Sequence, residues 1–285
     1  MKRVVKLLSE IGRVVSFVAW FTALIVIVFT LTSRRSNGVT RMETEGNHEF
    51  GEPHPIETPK LAVFIHGAGG GGWEWKQWVP IFEKAGYKCV AKDLVRTSKG
   101  LAATRFDDYL DQVKAWSSSP DKPKVVLIGA SMGGILALRA AMDIQPAALV
   151  LVNSVGPKGM NKPKNTSYPP IVRWAGGPFR ETVASMPDSD EDMQRFAWTH
   201  WRDESGAVLR EIAQGIEVTP PKCPLLVVLG DKDTDVPNQV GEQMALTYSG
   251  STLTFKDMSH VGPLLGTKAP DVANGVLRWL DGKLR

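Results

Sequence analysis

Cysteine is scarce: only Cys89 and Cys223 occur in 285 residues. Two thiols cannot form a disulfide framework, and no Cys/His spacing suits a structural zinc site. Both are expected as reduced, buried thiols. Charge of one sign is also missing from the body of the chain. The formal net charge is +4, but residues 1–41 carry seven Lys or Arg against the single acid Glu10, leaving 27 bases and 29 acids beyond them. A body with no net positive charge offers no footprint for nucleic acid. There is no internal repeat, which excludes solenoids and propellers. Disorder is not the default reading, because 43% hydrophobic and 22% charged residues is ordinary for a packed domain. The length suits one large domain with an appendage.

One long uncharged run is present. Residues 14–33 hold 20 positions without a charge, mostly Val, Ile, Leu, Phe, Ala and Trp. A helix of about 20 residues spans the hydrocarbon of a bilayer. A cleaved signal peptide is the rival reading, but the run is long for one and ends without a small-x-small cleavage site. Residues 1–33 are therefore expected to be an uncleaved single-pass anchor. Lys2, Arg3, Lys6 and Arg13 precede the run, and Arg34 and Arg35 follow it. The larger basic group ahead of the run favours a cytoplasmic N-terminus and a body on the non-cytoplasmic side. The basic tail suits anionic lipid headgroups. Residues 34–59 are polar and aperiodic and read as a linker.

From residue 60 the pattern alternates. Short apolar runs occur at 61–65, 87–94, 124–129, 148–153, 224–230 and 251–257. Helical stretches occur at 73–85, 107–116, 132–144 and 270–283. In the last of these Val272, Val276, Trp279 and Leu280 share one face. Strands alternating with helices predict an α/β domain over 60–285, a mostly parallel sheet with helices on both faces. Residues 158–222 interrupt the alternation. Their prolines include those at 163, 169, 170, 178 and 187, and they hold a helical stretch around 191–201. A segment this long is not a bare loop, and a helical cap over the C-terminal edge of the sheet is expected.

Gly129-Ala130-Ser131-Met132-Gly133 fits G-x-S-x-G. It follows an apolar strand and precedes an Ala-rich helix, the context this motif requires. Such a turn lifts the Ser131 hydroxyl above the sheet edge, and the glycines leave room for it. The Met132 N–H then faces the place where an oxyanion would form. A serine needs a base. Of the five histidines, His48 and His54 fall in the linker, His66 ends the first strand and His200 lies in the cap. His260 follows the last strand and can reach across the sheet edge. A carboxylate must orient it, and Gly230-Asp231-Lys232-Asp233-Thr234-Asp235 offers three. Asp233 leaves room for the chain to turn inward and is favoured, with Asp235 second.

The chain order Ser131, Asp233, His260 resembles the α/β-hydrolase superfamily. His66-Gly67-Ala68-Gly69 is similar to that family's oxyanion motif, and Gly230-Asp231-Lys232-Asp233 resembles its acid loop. The resemblance covers roughly residues 60–284. It implies a serine hydrolase in which Ala68 supplies a second oxyanion N–H and Asp233 is the acid. No metal or organic cofactor is implied. The segment 66–75 with Trp78 looks most like the small esterase and hydroxynitrile-lyase branch. Two departures stand out. The family's first two strands have little room before Leu61, and the familiar Gly-His-Ser elbow is Gly-Ala-Ser here.

Three other readings compete. Gly67-Ala68-Gly69-Gly70-Gly71-Gly72 also fits G-x-G-x-x-G, with Asp93 ending the next strand, the pattern of a dinucleotide-dependent enzyme. Trp73 and Trp75 crowd the helix start that a pyrophosphate would use. A hydrolase-like fold used only for binding would lack a triad member, and none is missing. Acyl transfer or cyanohydrin cleavage would use the same three residues. The tryptophans at 73, 75, 78, 174, 198 and 201 suggest a pocket wall that favours an ester with an apolar acyl or alcohol group, although core packing accounts for at least half of them.

Overall fold

The computed structural model describes residues 60–160 and 167–284. The expected anchor at 14–33 and linker at 34–59 lie outside the described residues, and so do cap residues 161–166. Among the described residues no helix is long and apolar enough to cross a membrane.

All six expected strands form. They are β1 (Lys60–Ile65), β2 (Tyr87–Ala91), β3 (Lys124–Ala130), β4 (Ala148–Val152), β7 (Leu225–Gly230) and β8 (Ser251–Phe255). They make one sheet in the order β2-β1-β3-β4-β7-β8, and every neighbouring pair is parallel. β4 and β7 are buried at every residue. That is why the apolar runs are continuous rather than alternating. The edge strand β8 alternates instead between half-buried and exposed residues.

Side chains of successive strand residues point to opposite faces, and two cores result. Leu61, Val63, Ile65, Leu127, Leu149, Leu151 and Val227 pack with α2 (Phe106–Ser117), α3 (Met132–Ile144) and α7 (Asn238–Thr247). Ala62, Phe64, Val126, Ile128, Val150 and Val228 pack with α1 (Val79–Lys84), α8 (Gly262–Leu265) and α9 (Ala269–Leu284). Helix starts follow local chemistry. The Asp108 carboxylate accepts the Arg105 N–H at 2.7 Å at the start of α2, satisfying a donor that no helical carbonyl can reach.

The structure corrects three expectations. A single helix does not span 73–85. A 3-10 turn, Gly72–Trp75, is followed by the short α1. Pro80 has no N–H to bond back to the preceding turn, so a helix cannot run through it. Residues 238–247, assigned no element from the sequence, form α7. Its interior Gly241 and its exposed Leu246 blur the helical periodicity.

The insertion, finally, is only partly a cap. An antiparallel ribbon of β5 (Ile171–Val172) and β6 (Glu204–Ser205), with α4 (Phe179–Ser185) and α5 (Glu191–His200), lies against the loops beyond β1 and β8. α6 (Gly206–Gln214) instead buries Val208 and Ile212 in the core beside α2 and α3.

Candidate active site

Ser131 sits between β3 and α3 with φ +51° and ψ −119°. A non-glycine residue held there stores on the order of 1–3 kcal/mol and must be over-determined by its surroundings. Here the Ser131 N–H donates to the Val152 carbonyl at 3.0 Å, and the Ser131 carbonyl accepts from Val155 at 3.2 Å. A Cβ on Gly129 would strike the Gly133 carbonyl, and one on Gly133 would strike the carbonyls of Ile65 and His66. Both glycines of the motif are thus fixed by close approach of backbone to backbone.

The loop beyond β1 lies beside the serine. A Cβ on Gly67 would come within 3.3 Å of the Ser131 Cβ. Among the described residues, neither the Ala68 nor the Met132 N–H donates a hydrogen bond. Three glycine N–H groups of this loop are engaged by carboxylates. Gly67 donates to Glu74 Oε2 at 3.0 Å, Gly69 to Glu204 Oε2 at 3.2 Å, and Gly72 to Asp93 Oδ1 at 2.8 Å. Arg202, two residues past α5, locks the same loop. Its Nε donates to Gly70 O at 2.7 Å, its Nη1 pairs with Asp93 at 3.0 Å, and its own N–H donates to Gly69 O at 2.8 Å. This arrangement opposes the dinucleotide reading. Three carboxylates occupy the donors that a pyrophosphate would need, and Asp93 is turned to the loop rather than to a ribose.

His66 is fully buried. Its Nδ1 bonds Gly67 O at 2.7 Å, and Nε2 accepts the Leu94 N–H at 2.9 Å. Burial pulls its pKa down to about 4, with Arg202 adding to the effect. It is a neutral strut.

His260 and Asp233 meet. Nδ1 of His260 lies 2.8 Å from Asp233 Oδ2, and the two side chains are 13% and 1% exposed. The other oxygen of Asp233 accepts the N–H groups of Asp235 at 2.8 Å and Val236 at 3.0 Å, which aims the carboxylate. Of the three acids on this loop, only Asp233 is hydrogen-bonded to the ring. Asp231 instead accepts the Asp257 N–H at 2.6 Å. Burial lowers the His260 pKa, but the bond to Asp233 and the charges of Asp233, Asp235 and Glu74 outweigh it, and the net shift is upward.

Several residues of the site were not singled out from the sequence. Asn153, 2% exposed, follows β4 and bonds to both the acid loop and the histidine loop. Asp188, from the cap, accepts the Ser259 hydroxyl at 2.6 Å and the Ser259 N–H at 3.0 Å. A polar residue just past the C-terminal end of a parallel strand was the available signal for Asn153. For Asp188 and Arg202 no local signal exists.

The tryptophans divide. Trp75 and Trp78 are fully buried and pack on Phe64 with ring centroids 5.1 and 6.5 Å apart, so they belong to the core. Trp73 packs edge-on against Trp201 at 5.0 Å. Trp174, 40% exposed, covers Gly69 on the oxyanion-side loop. Trp198 is also exposed, at 37%.

Glu74 is 3% exposed. Burial raises its pKa from 4.5 to about 7, opposed by the Gly67 N–H, His260 and Arg202. A carboxyl that binds its proton more tightly when folded loses stability as pH rises between those two values, on the order of 3 kcal/mol. His66 acts oppositely on the acid side, and His260 acts in the same direction above its ordinary 6.5. The comparison with Glu74→Gln isolates the carboxyl. The variant is expected to gain Tm relative to wild type as pH goes from 5 to 8. Parallel Tm curves across that range would refute the assignment.

A profile of the alpha/beta hydrolase family matches residues 62–273. The chain belongs to that family. A norfluorocurarine synthase from Strychnos is 34% identical over 114 residues, 36% of this chain and 42% of the relative. Methylesterase 3 of Arabidopsis thaliana is 33% identical over 118 residues, 38% of this chain and 44% of the relative. The chain thus spans less than half the length of these curated relatives. Among solved structures, a methylesterase of Arabidopsis superposes with a TM-score of 0.62 at 16% identity, over 78% of this chain and 98% of that one. Polyneuridine aldehyde esterase gives 0.62 at 19%, over 78% and 99%. These structural likenesses establish the fold.

Proposed function

We propose that the protein is a serine hydrolase of carboxylic esters with Ser131, His260 and Asp233 as its triad. The observation that carries this reading is the Asp233-bound His260 ring in the same sheet-edge cluster as a serine on a glycine-walled turn. Ser131 Oγ attacks the ester carbonyl while His260 Nε2 takes the hydroxyl proton. The new O–C bond makes a tetrahedral oxyanion, held by the N–H groups of Ala68 and Met132. Collapse breaks the bond to the alcohol, which leaves with the proton from His260. Water, deprotonated by the same ring, then adds to the acyl-enzyme, and the acid departs as Ser131 recovers its proton. Asp233 orients the ring and stabilises its cation.

The esterase names among the relatives and structural neighbours support an ester substrate, and Trp174 beside Gly69 supports an apolar acyl or alcohol group. A fluorophosphonate should form one adduct, on the peptide that carries Ser131, and a p-nitrophenyl ester panel should show turnover. A folded protein with no adduct would refute the triad. An adduct without ester turnover would favour lyase or transfer chemistry on the same residues.

Residues 14–33 are proposed to tether this domain to a membrane, on the non-cytoplasmic side. The support is their 20 uncharged positions between basic flanks. Release into the supernatant by alkaline carbonate, without detergent, would refute the tether.

A further inference from the structure

The C-terminal end of β4 and the residues just past it touch all three loops that carry the triad. Val152 and Val155 hold the backbone of Ser131 from both sides, at 3.0 and 3.2 Å. Between them, Asn153 Oδ1 accepts the Gly230 N–H at 2.9 Å, three residues before Asp233. Its Nδ2 donates to the carbonyl of His260 at 2.8 Å and to that of Ser259 at 3.3 Å. Its own N–H donates to Val228 O at 2.9 Å.

We infer that Asn153 is the positioning residue that sets His260 and Asp233 in register with Ser131, an inference resting on the triad reading above. Four features argue for it. The side chain is buried, so no water competes for its bonds. Its backbone is left-handed, at φ +42°, a conformation that Asn and Gly adopt more readily than other residues. Its amide is used at both ends, with the oxygen facing a donor and the nitrogen facing two acceptors. No other side chain of its size offers that pairing: a carboxylate can serve the Gly230 donor but would turn an oxygen on the two carbonyls. Finally, every one of its partners belongs to a loop that carries a triad residue or to the strand leading into one. A shift of the His260 carbonyl carries the ring with it, while Asp233 and Ser131 stay on their own anchors.

Two variants separate positioning from general stability. Asn153→Gly removes the side chain and accepts the left-handed backbone. Asn153→Asp keeps the bond to Gly230 and loses the donor to His260. In the full chain, both are expected to lower kcat for a p-nitrophenyl ester by about tenfold to a hundredfold, as for a small misplacement of reacting groups. KM should stay near the wild-type value. The far-downfield proton resonance of the His260–Asp233 bond should shift or broaden in both. A kcat within twofold of wild type in either folded variant, with the resonance unmoved, would overturn the inference. Loss of folding in both variants at 25 °C would overturn it too, by making the role a structural one. If the wild-type chain proves inactive and takes no fluorophosphonate, the triad reading fails instead. The resonance then decides the inference by itself: moved in Asn153→Asp it supports positioning, unmoved it refutes it.

Discussion

Replacing Ser131 by alanine is expected to lower ester turnover by about a millionfold, the size of loss seen when a triad nucleophile is removed. The fold should survive. Alanine keeps the Cβ that already fits against Gly67, and the backbone bonds of residue 131 to Val152 and Val155 use no side-chain atom. The strained φ of +51° is equally strained for alanine, so no relief or new clash enters. Tm is expected to move by no more than a few degrees, since a surface-like change of this kind is within about 0.5 kcal/mol. Substrate binding should persist. The decisive measurement is the rate of p-nitrophenol release by the two proteins at equal, calorimetrically verified folded concentration. Turnover by Ser131→Ala within tenfold of wild type would remove Ser131 from the chemistry.

Replacing Asp233 by asparagine is expected to lower kcat by about four orders of magnitude. The physical reason lies in how both carboxylate oxygens are used. One accepts the N–H groups of Asp235 and Val236, and the other accepts from His260 Nδ1. An asparagine can keep the first role only by turning its NH2 toward the histidine. The ring must then place its proton on Nε2, the nitrogen that has to accept from Ser131. Asp235→Asn makes a sharp contrast. That residue reaches His260 through charge and not through a bond, so its loss is expected to change kcat only a few-fold. It should also lower the pKa read from the pH dependence of kcat/KM, because one negative charge near the imidazolium is gone. A larger loss from Asp235→Asn than from Asp233→Asn would exchange their roles.

The two acids show where reading along the chain stops. They sit two positions apart on one loop, with the same chemistry and nearly the same reach. Which of them meets His260 depends on how that loop closes against a loop 27 residues later. The glycine run at 67–72 behaves alike. As a string it suits a phosphate cradle as well as an oxyanion loop. Against the phosphate cradle stand Glu204 and Arg202, more than 130 residues away, whose carboxylate and guanidinium occupy the loop's backbone groups. The buried Glu74 is likewise unremarkable as one acid between two tryptophans. Its raised pKa follows from desolvation that only the folded chain imposes.

What the sequence determined by itself rests on short-range rules. Short apolar runs became the six parallel strands, five to seven residues long. The Gly-x-Ser-x-Gly turn was required by contacts between backbone atoms of adjoining elements, so its two glycines were readable at once. His260 was readable because it is the one histidine following the last strand. Local rules also had limits: Pro80 broke a helix that hydrophobic spacing alone would continue. Tertiary structure decided the rest: which acid of the pair meets His260, the clamp on the glycine loop, the split of the insertion into cap and core helix, and the bonds of Asn153 to two loops 77 and 107 residues away. Strand periodicity and steric demands at a turn are properties of neighbours, whereas a hydrogen bond between loops exists only once the sheet has brought the ends of its strands to one edge.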